Sequence, residues 1–369
     1  MKVKLGDVCE IVSGSTPKTS IAEYWDGDLK WITPAEITDE TYIITDSVRK
    51  ITELGVKKTG LTPFPEGTVI LSSRAPIGKV AIAGSEMYCN QGFRNLICSD
   101  KINNRYLYWF LKGNTTFLNS LGRGATFKEI SKKIVADIEI NLSDKEQQKK
   151  VVENLERISG IIHMRKKELQ KLDELVRARF VELFGDPVAN DKGWETALCK
   201  SLMSKIGSGA TPKGGKESYC DEGVSLIRSM NVYNNRFEYK DLAHITYEQA
   251  GQLDNVTIEK KDVLLNITGA SVARCCLVPD DLLPARVNQH VSIIRCKERI
   301  FPEFVCCMFT EDNYQRLLWN TATAGGATRE AITKQQIEEL ILIIPPIDLQ
   351  MQYISFVHQI NKSKFPQYT

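Results

Sequence analysis

Ser13-Gly14-Ser15-Thr16-Pro17-Lys18, near the start of the chain, recurs as Ser208-Gly209-Ala210-Thr211-Pro212-Lys213 past its middle. Three more matches follow outward in the same order. Gly67-Thr68-Val69-Ile70-Leu71 answers to Lys261-Asp262-Val263-Leu264-Leu265, and Asn90-Gln91-Gly92-Phe93 to Asn288-Gln289-His290-Val291. Gly124-Ala125-Thr126 with Ile130 answers to Gly326-Ala327-Thr328 with Ile332. The offset drifts only from about 195 to about 202 residues, so the copies are collinear with small gaps. One such match is within chance; four in register specify an internal duplication. Short β-type runs between Gly- and Pro-marked turns, with helical stretches near Arg105–Leu111 and Pro302–Leu318, make each copy mixed in secondary structure and the fold class α+β.

Each copy ends in a helical segment. Val151, Leu155, Ile158, Ile162, Leu169, Leu172, Val176 and Leu183 are spaced by alternating fours and threes, and Arg165 and Arg179 fill the two remaining positions of the seam. That heptad pattern is the signature of a coiled coil, with mixed-sign charges on its flanks. At 1.5 Å per residue the seam is about 50 Å long. It stops at Phe184-Gly185-Asp186-Pro187, where a glycine and a proline end a helix. The second copy repeats the pattern at Leu349, Tyr353, Phe356 and Ile360 and runs out at Pro366, about half as long. A long amphipathic core helix is the alternative, but the length and the position between the copies favour a rod that sets a distance.

The 369 residues carry 48 Lys and Arg against 46 Asp and Glu, a net charge of +2. This excludes a polybasic chain that holds nucleic acid by bulk charge, but not a local patch. The N-terminus lacks the apolar core of a signal peptide, and the apolar run around Leu340–Ile347 is far shorter than a bilayer span, so a cytoplasmic protein with no membrane partner is expected. The ten cysteines include the adjacent pairs Cys275-Cys276 and Cys306-Cys307 and no Cys-x-x-Cys, which reads as small buried hydrophobes in a reducing compartment. No phosphate-loop motif occurs, and the four histidines (His163, His244, His290, His358) are too scattered for a metal or catalytic set. The acid-x-Lys tripeptides Asp28-Leu29-Lys30, Glu238-Tyr239-Lys240 and Glu259-Lys260-Lys261 are no more than composition predicts. No Asn/Asp-Pro-Pro-Phe/Tyr segment of the adenine methyltransferases is present. A duplicated protein with a rod and no chemistry suggests recognition at two points, without catalytic or metal-binding residues.

Phe184-Gly185-Asp186-Pro187, followed by Asn190 and Gly193-Trp194, resembles the junction in specificity subunits of type I restriction-modification systems. The repeated Ser-Gly-x-Thr-Pro-Lys, Asn90-Gln91-Gly92-Phe93, the Gly-Ala-Thr turn, and Pro345-Pro346 followed by Gln350 and Ile354 are similar to the same family, over essentially the whole chain. The resemblance implies two target-recognition domains, residues 1–143 and 188–343, joined by long antiparallel coiled-coil helices: the central helix 144–187 as a ruler and the short C-terminal helix 344–369 paired with it. It implies a non-catalytic subunit that reads an asymmetric bipartite site in double-stranded DNA. Two modification subunits would dock on the helices and methylate adenine, and restriction subunits would add translocase and nuclease activity. This chain would bind no cofactor; S-adenosylmethionine, ATP and Mg would belong to the partners. Two departures stand out: Ser143-Asp144 replaces the family's proline pair, which suits a helix N-cap, and the C-terminal helix is short.

Base edges call for Arg, Lys, Asn and Gln on loops, and phosphates for Lys, Arg, Ser and Thr. The candidate DNA contacts in the first copy are Lys18, Arg74, Lys79, Gln91, Arg94, Arg123 and Lys128. In the second they are Lys213, Arg228, Arg274, Asn288, Gln289 and Arg329. Arg165 and Arg179, on the seam, are expected to face acidic groups of the paired helix. The copies differ most at Trp31-Ile32-Thr33-Pro34 against Leu226-Ile227-Arg228-Ser229, which points to two different half-sites. Two other classes compete: a duplicated coiled-coil scaffold for protein interaction, and a stand-alone metal-dependent nuclease built on an acid-x-Lys cluster.

Overall fold

Val69–Leu71 and Val263–Asn266 are short runs, apolar except for Asn266, with no exposed face, so each must lie inside a sheet. Each does. The computed structural model describes residues 1–124, 128–212, 214–324 and 330–364, in two compact units, Met1–Arg165 and Lys166–Thr369.

In the first unit a five-stranded sheet runs in the order Cys9–Ser13, Arg94–Cys98, Val69–Leu71, Val80–Ala83, Ile43–Ile44. In the second, Met203–Ser208, Val291–Cys296, Val263–Asn266 and Cys275–Leu277 repeat its first four strands. A three-stranded sheet accompanies each. In the first, Trp25–Ile32 pairs antiparallel with Arg49–Ile51 and parallel with Tyr88–Cys89. In the second, Val224–Ile227 pairs antiparallel with Ala243–Ile245 and parallel with Ala285–Val287. A two-stranded ribbon closes each copy, Lys2–Lys4 with Glu139–Asn141 and Glu195–Leu198 with Ile341–Ile344. The duplication read from four short motifs is therefore a duplication of strand order and pairing sense.

The long helix spans Lys145–Phe184, six residues earlier than the heptads begin. Asp144 caps it, its carboxylate accepting the Gln147 amide at 2.8 Å. The buried Gln148 ties the first turn to its domain: Oε1 accepts the Asn103 amide, and Nε2 donates to the Lys101 and Ser143 carbonyls. Gln350, on the helix Ile347–Lys364, repeats the arrangement with the Phe301 amide and the Arg299 and Pro345 carbonyls.

The seam is only partly enclosed. Val151, Leu155, Leu169, Leu172, Val176 and Leu183 are half-buried, whereas Ile158 and Ile162 are 53% and 51% exposed. The fully buried positions of the helix are Gln148, Val152, Phe180 and Phe184, and the three apolar ones lie off that seam. In the second unit Phe180, Phe184, Phe304 and Tyr353 form an aromatic cluster with ring centroids 4.8–5.7 Å apart. Lys364 reaches Asp173 at 2.5 Å while Tyr353 meets the Phe180 turn, so the C-terminal helix runs antiparallel to this part of the long one. Among the described residues Arg179 finds no acid across the pair: it bridges to Glu182 on its own helix at 2.8 Å, its guanidinium 6.0 Å from the Phe356 ring.

At the junction Gly185 takes φ +73°, and a Cβ there would fall 2.0 Å from Asp191 Oδ1. The Trp194 indole donates to the Phe184 carbonyl at 2.9 Å, and Asn190 brackets the Trp194 backbone with two hydrogen bonds. The stretch expected as one helix, Pro302–Leu318, is two helices, Pro302–Phe309 and Asp312–Thr323. The break falls where the Glu311 side chain caps the second by accepting the Asn313 amide. No helix among the described residues is long and apolar enough to cross a membrane.

Candidate nucleic-acid interface

The candidate residues gather where the strand ends of the larger and smaller sheets meet. In the first unit the 13–18 turn is held against the 89–91 turn: the Ser15 amide donates to the Cys89 carbonyl at 3.0 Å, and the Thr16 hydroxyl donates to Gln91 Oε1. Gly14 is required by this approach, since a Cβ would lie 2.0 Å from the Cys89 oxygen. The Asn90 side chain caps its own turn by accepting the Gly92 amide, and its backbone amide donates to Ile32. The 72–79 loop joins them through the Ser73 amide to the Gly92 carbonyl, and the 123–130 segment through the Ile130 amide to the Ser73 carbonyl.

The second unit builds the same rim from equivalent bonds. The closing backbone bond is shifted by one residue at each end, from the Gly209 amide to the Asn288 carbonyl, while the Thr211 hydroxyl donates to Gln289 Oε1 as Thr16 does to Gln91. Asn288 Oδ1 accepts the His290 amide, and the Asn288 amide donates to Ile227. The Ile267 amide donates to His290 and the Ile332 amide to Ile267. This register makes Arg274 the counterpart of Lys79.

The candidates play unequal parts on these rims. Lys18, Gln91, Arg123 and Lys128 are exposed and Arg74 is half-buried. Among the described residues none of the four cations has a partner for its charged group. Lys79 donates its ammonium to the Pro34 carbonyl at 2.9 Å, which ties two rim loops together. Arg94 is more committed still: it bridges Glu129 at 2.7 Å and donates to the Phe93 and Gln91 carbonyls, with its side chain only 14% exposed. In the second copy Arg228 donates to the Asp241 carbonyl and lies over the Tyr219 ring. Arg274 stacks on Tyr233, 4.5 Å from its centroid. Asn288 is buried and shapes its turn, whereas Gln289 is exposed. Lys213, Arg329 and most of both Gly-Ala-Thr turns lie outside the described residues.

Residue typing passed over Thr16, Thr211, Glu129, Thr268 and His290, all of which shape the rims. The signal for the two threonines was present: Thr and Gln recur at both ends of the same clamp. The acid-x-Lys groups are engaged elsewhere, with Lys30 on the Thr45 carbonyl and Glu259 on Arg295. Burial pushes the thiols of Cys89, Cys199 and Cys307 up to about 12, so they stay protonated near neutrality.

Comparison with known proteins returns one family. The family described as Type I restriction modification DNA specificity domain matches twice, at residues 1–174 and 191–365. The MjaIX type I restriction enzyme specificity subunit of Methanocaldococcus jannaschii is 37% identical, over 96% of this chain and 85% of the relative. The EcoBI specificity subunit of Escherichia coli is 19% identical over 80% of this chain and 68% of its own length. Among solved structures, the type I restriction-modification S subunit from M. genitalium has a similar fold, with TM-score 0.57 at 13% identity over 99% of this chain and 90% of its own. A chain from work on complex assembly and conformational transition of the type I R-M system reaches TM-score 0.59 at 17% identity, with the same coverage.

Proposed function

The chain belongs to the type I restriction-modification DNA specificity family, and from that premise we propose that its two domains each read one half of an asymmetric bipartite site in duplex DNA. The observation that carries the reading is the twofold construction of one rim from the same Thr–Gln clamp and Asn turn, with different neighbours on each. The first rim offers Lys18, Arg74, Gln91, Arg123 and Lys128; the second offers Arg228, Arg274 and Gln289. A shared scaffold with different contact chemistry reads different sequences.

The subunit is itself non-catalytic. Two modification subunits dock on the paired helices and carry adenine methylation with S-adenosylmethionine, on a base swung out of the duplex. Restriction subunits bring the ATP- and Mg-dependent reactions. The long helix fixes the distance between half-sites, and the complex works in the cytoplasm. The test is to map methylated adenines in DNA from a host carrying this chain with its modification partner. One asymmetric bipartite motif with a fixed spacer is expected; a palindromic or undivided motif overturns the reading.

A further inference from the structure

Beside the glutamine of each rim the two copies exchange one pair of side chains. The backbone register sets Arg74 opposite Thr268 and Gly92 opposite His290: Arg74 bridges to Glu129 as Thr268 bridges to Ala331, and the Gly92 and His290 carbonyls accept matching amides. In the first copy Gly92 carries no side chain, and Arg74 Nε lies at contact distance, 3.6 Å, from where a Cβ at position 92 would be. In the second copy the short Thr268 leaves room for an imidazole. A large side chain enters the same place from opposite strands, permanently charged in one copy and a histidine in the other.

The histidine closes a chain of hydrogen bonds that the first copy lacks. The Thr211 hydroxyl donates to Gln289 Oε1, Gln289 Nε2 lies 3.3 Å from His290 Nε2, and His290 Nδ1 lies 2.6 Å from Thr268 Oγ1. A ring nitrogen facing an amide NH2 must accept, which puts the imidazole proton on Nδ1, where Thr268 Oγ1 takes it. The Gln289 amide is then held at both ends. Gln91 is held only through its oxygen by Thr16, and among the described residues its NH2 has no partner.

We propose that His290, braced by Thr268, is a positioning residue that fixes the direction of the Gln289 amide and thereby the base read at one position of the second half-site, whereas in the first the Gln91 amide has no such brace. The inference rests on the reading of these rims as DNA-contacting surfaces. A glutamine recognises adenine by offering oxygen and NH2 in a set order, so an amide free to flip loses discrimination at that base.

The experiment maps the methylated motif, with occupancy at each position, for the complex of this chain with its modification subunit. Its variants are His290→Gly, His290→Gln and His290→Asn. His290→Gly is expected to relax one position of the second half-site by about tenfold, leaving the first half-site and the spacer unchanged. His290→Gln, which restores an acceptor near Nε2, recovers discrimination. His290→Asn, which restores only the Thr268 side, does not. A wild-type motif that is not bipartite defeats the underlying reading; a bipartite wild-type motif unchanged in His290→Gly overturns this inference alone. A uniform loss over both half-sites, or equal behaviour of the Gln and Asn variants, also overturns it, since either marks a merely structural residue.

Discussion

Arg74 and Arg94 look alike in the sequence, both arginines beside rim turns, yet the fold gives them opposite work. Arg94 is enclosed and bound to Glu129, while Arg74 has no partner for its guanidinium among the described residues. Arg94→Ala should cost about 2 kcal/mol of stability, because it strands a half-buried carboxylate and two carbonyls. Arg74→Ala should leave thermal unfolding unchanged and weaken duplex binding by the complex; calorimetry and a binding titration on both variants separate the roles. Three thiols give a second check. With Cys89, Cys199 and Cys307 raised to about 12, all three should resist alkylation at pH 8 in the folded chain and react on unfolding, which mass spectrometry of labelled peptides reads. The sign follows from the neutral thiol being favoured when folded. Its contribution is whole below about pH 8.5, the usual thiol value, and fades as pH rises toward 12, so the melting temperature should fall across that interval.

At the scale of elements, the heptads located the long helix but misplaced its buried residues. Spacing reports which positions share a face, not what lies opposite that face. Phe180 and Phe184 are buried because Phe304 and Tyr353 meet them, and neither partner is visible in the helix's own sequence. Gln148 and Gln350 each stand just after a helix start in the sequence, while their matching backbone bonds appear only on folding. The helix as ruler has a direct test. Deleting one heptad between Val151 and Leu183 should shorten the motif's spacer or abolish methylation, with both half-sites unchanged wherever activity survives. A change in the half-sites themselves would show that the helix does not merely measure.

For the whole molecule, a net charge of +2 is compatible with DNA binding because the cations that matter need only crowd two rims. Binding of the assembled complex to duplex should therefore weaken steeply with salt, by about a thousandfold between 50 and 200 mM if some six phosphates are engaged. A shallow dependence would mean that these cations do not meet phosphates.

The duplication, the α+β class, the long helix and its end at Phe184-Gly185-Asp186-Pro187 are all written in the amino-acid sequence. All of these rest on local signals: repeated motifs, periodicity, and turn residues required by backbone geometry. The fold selects which rim residues are left free to meet a ligand. It turned Arg94 inward to Glu129, spent Lys79 on a carbonyl, and set His290 between Thr268 and Gln289. These partners lie 22 to 45 positions apart except for adjacent Gln289, and an isolated side chain carries no record of what the fold will bring to it.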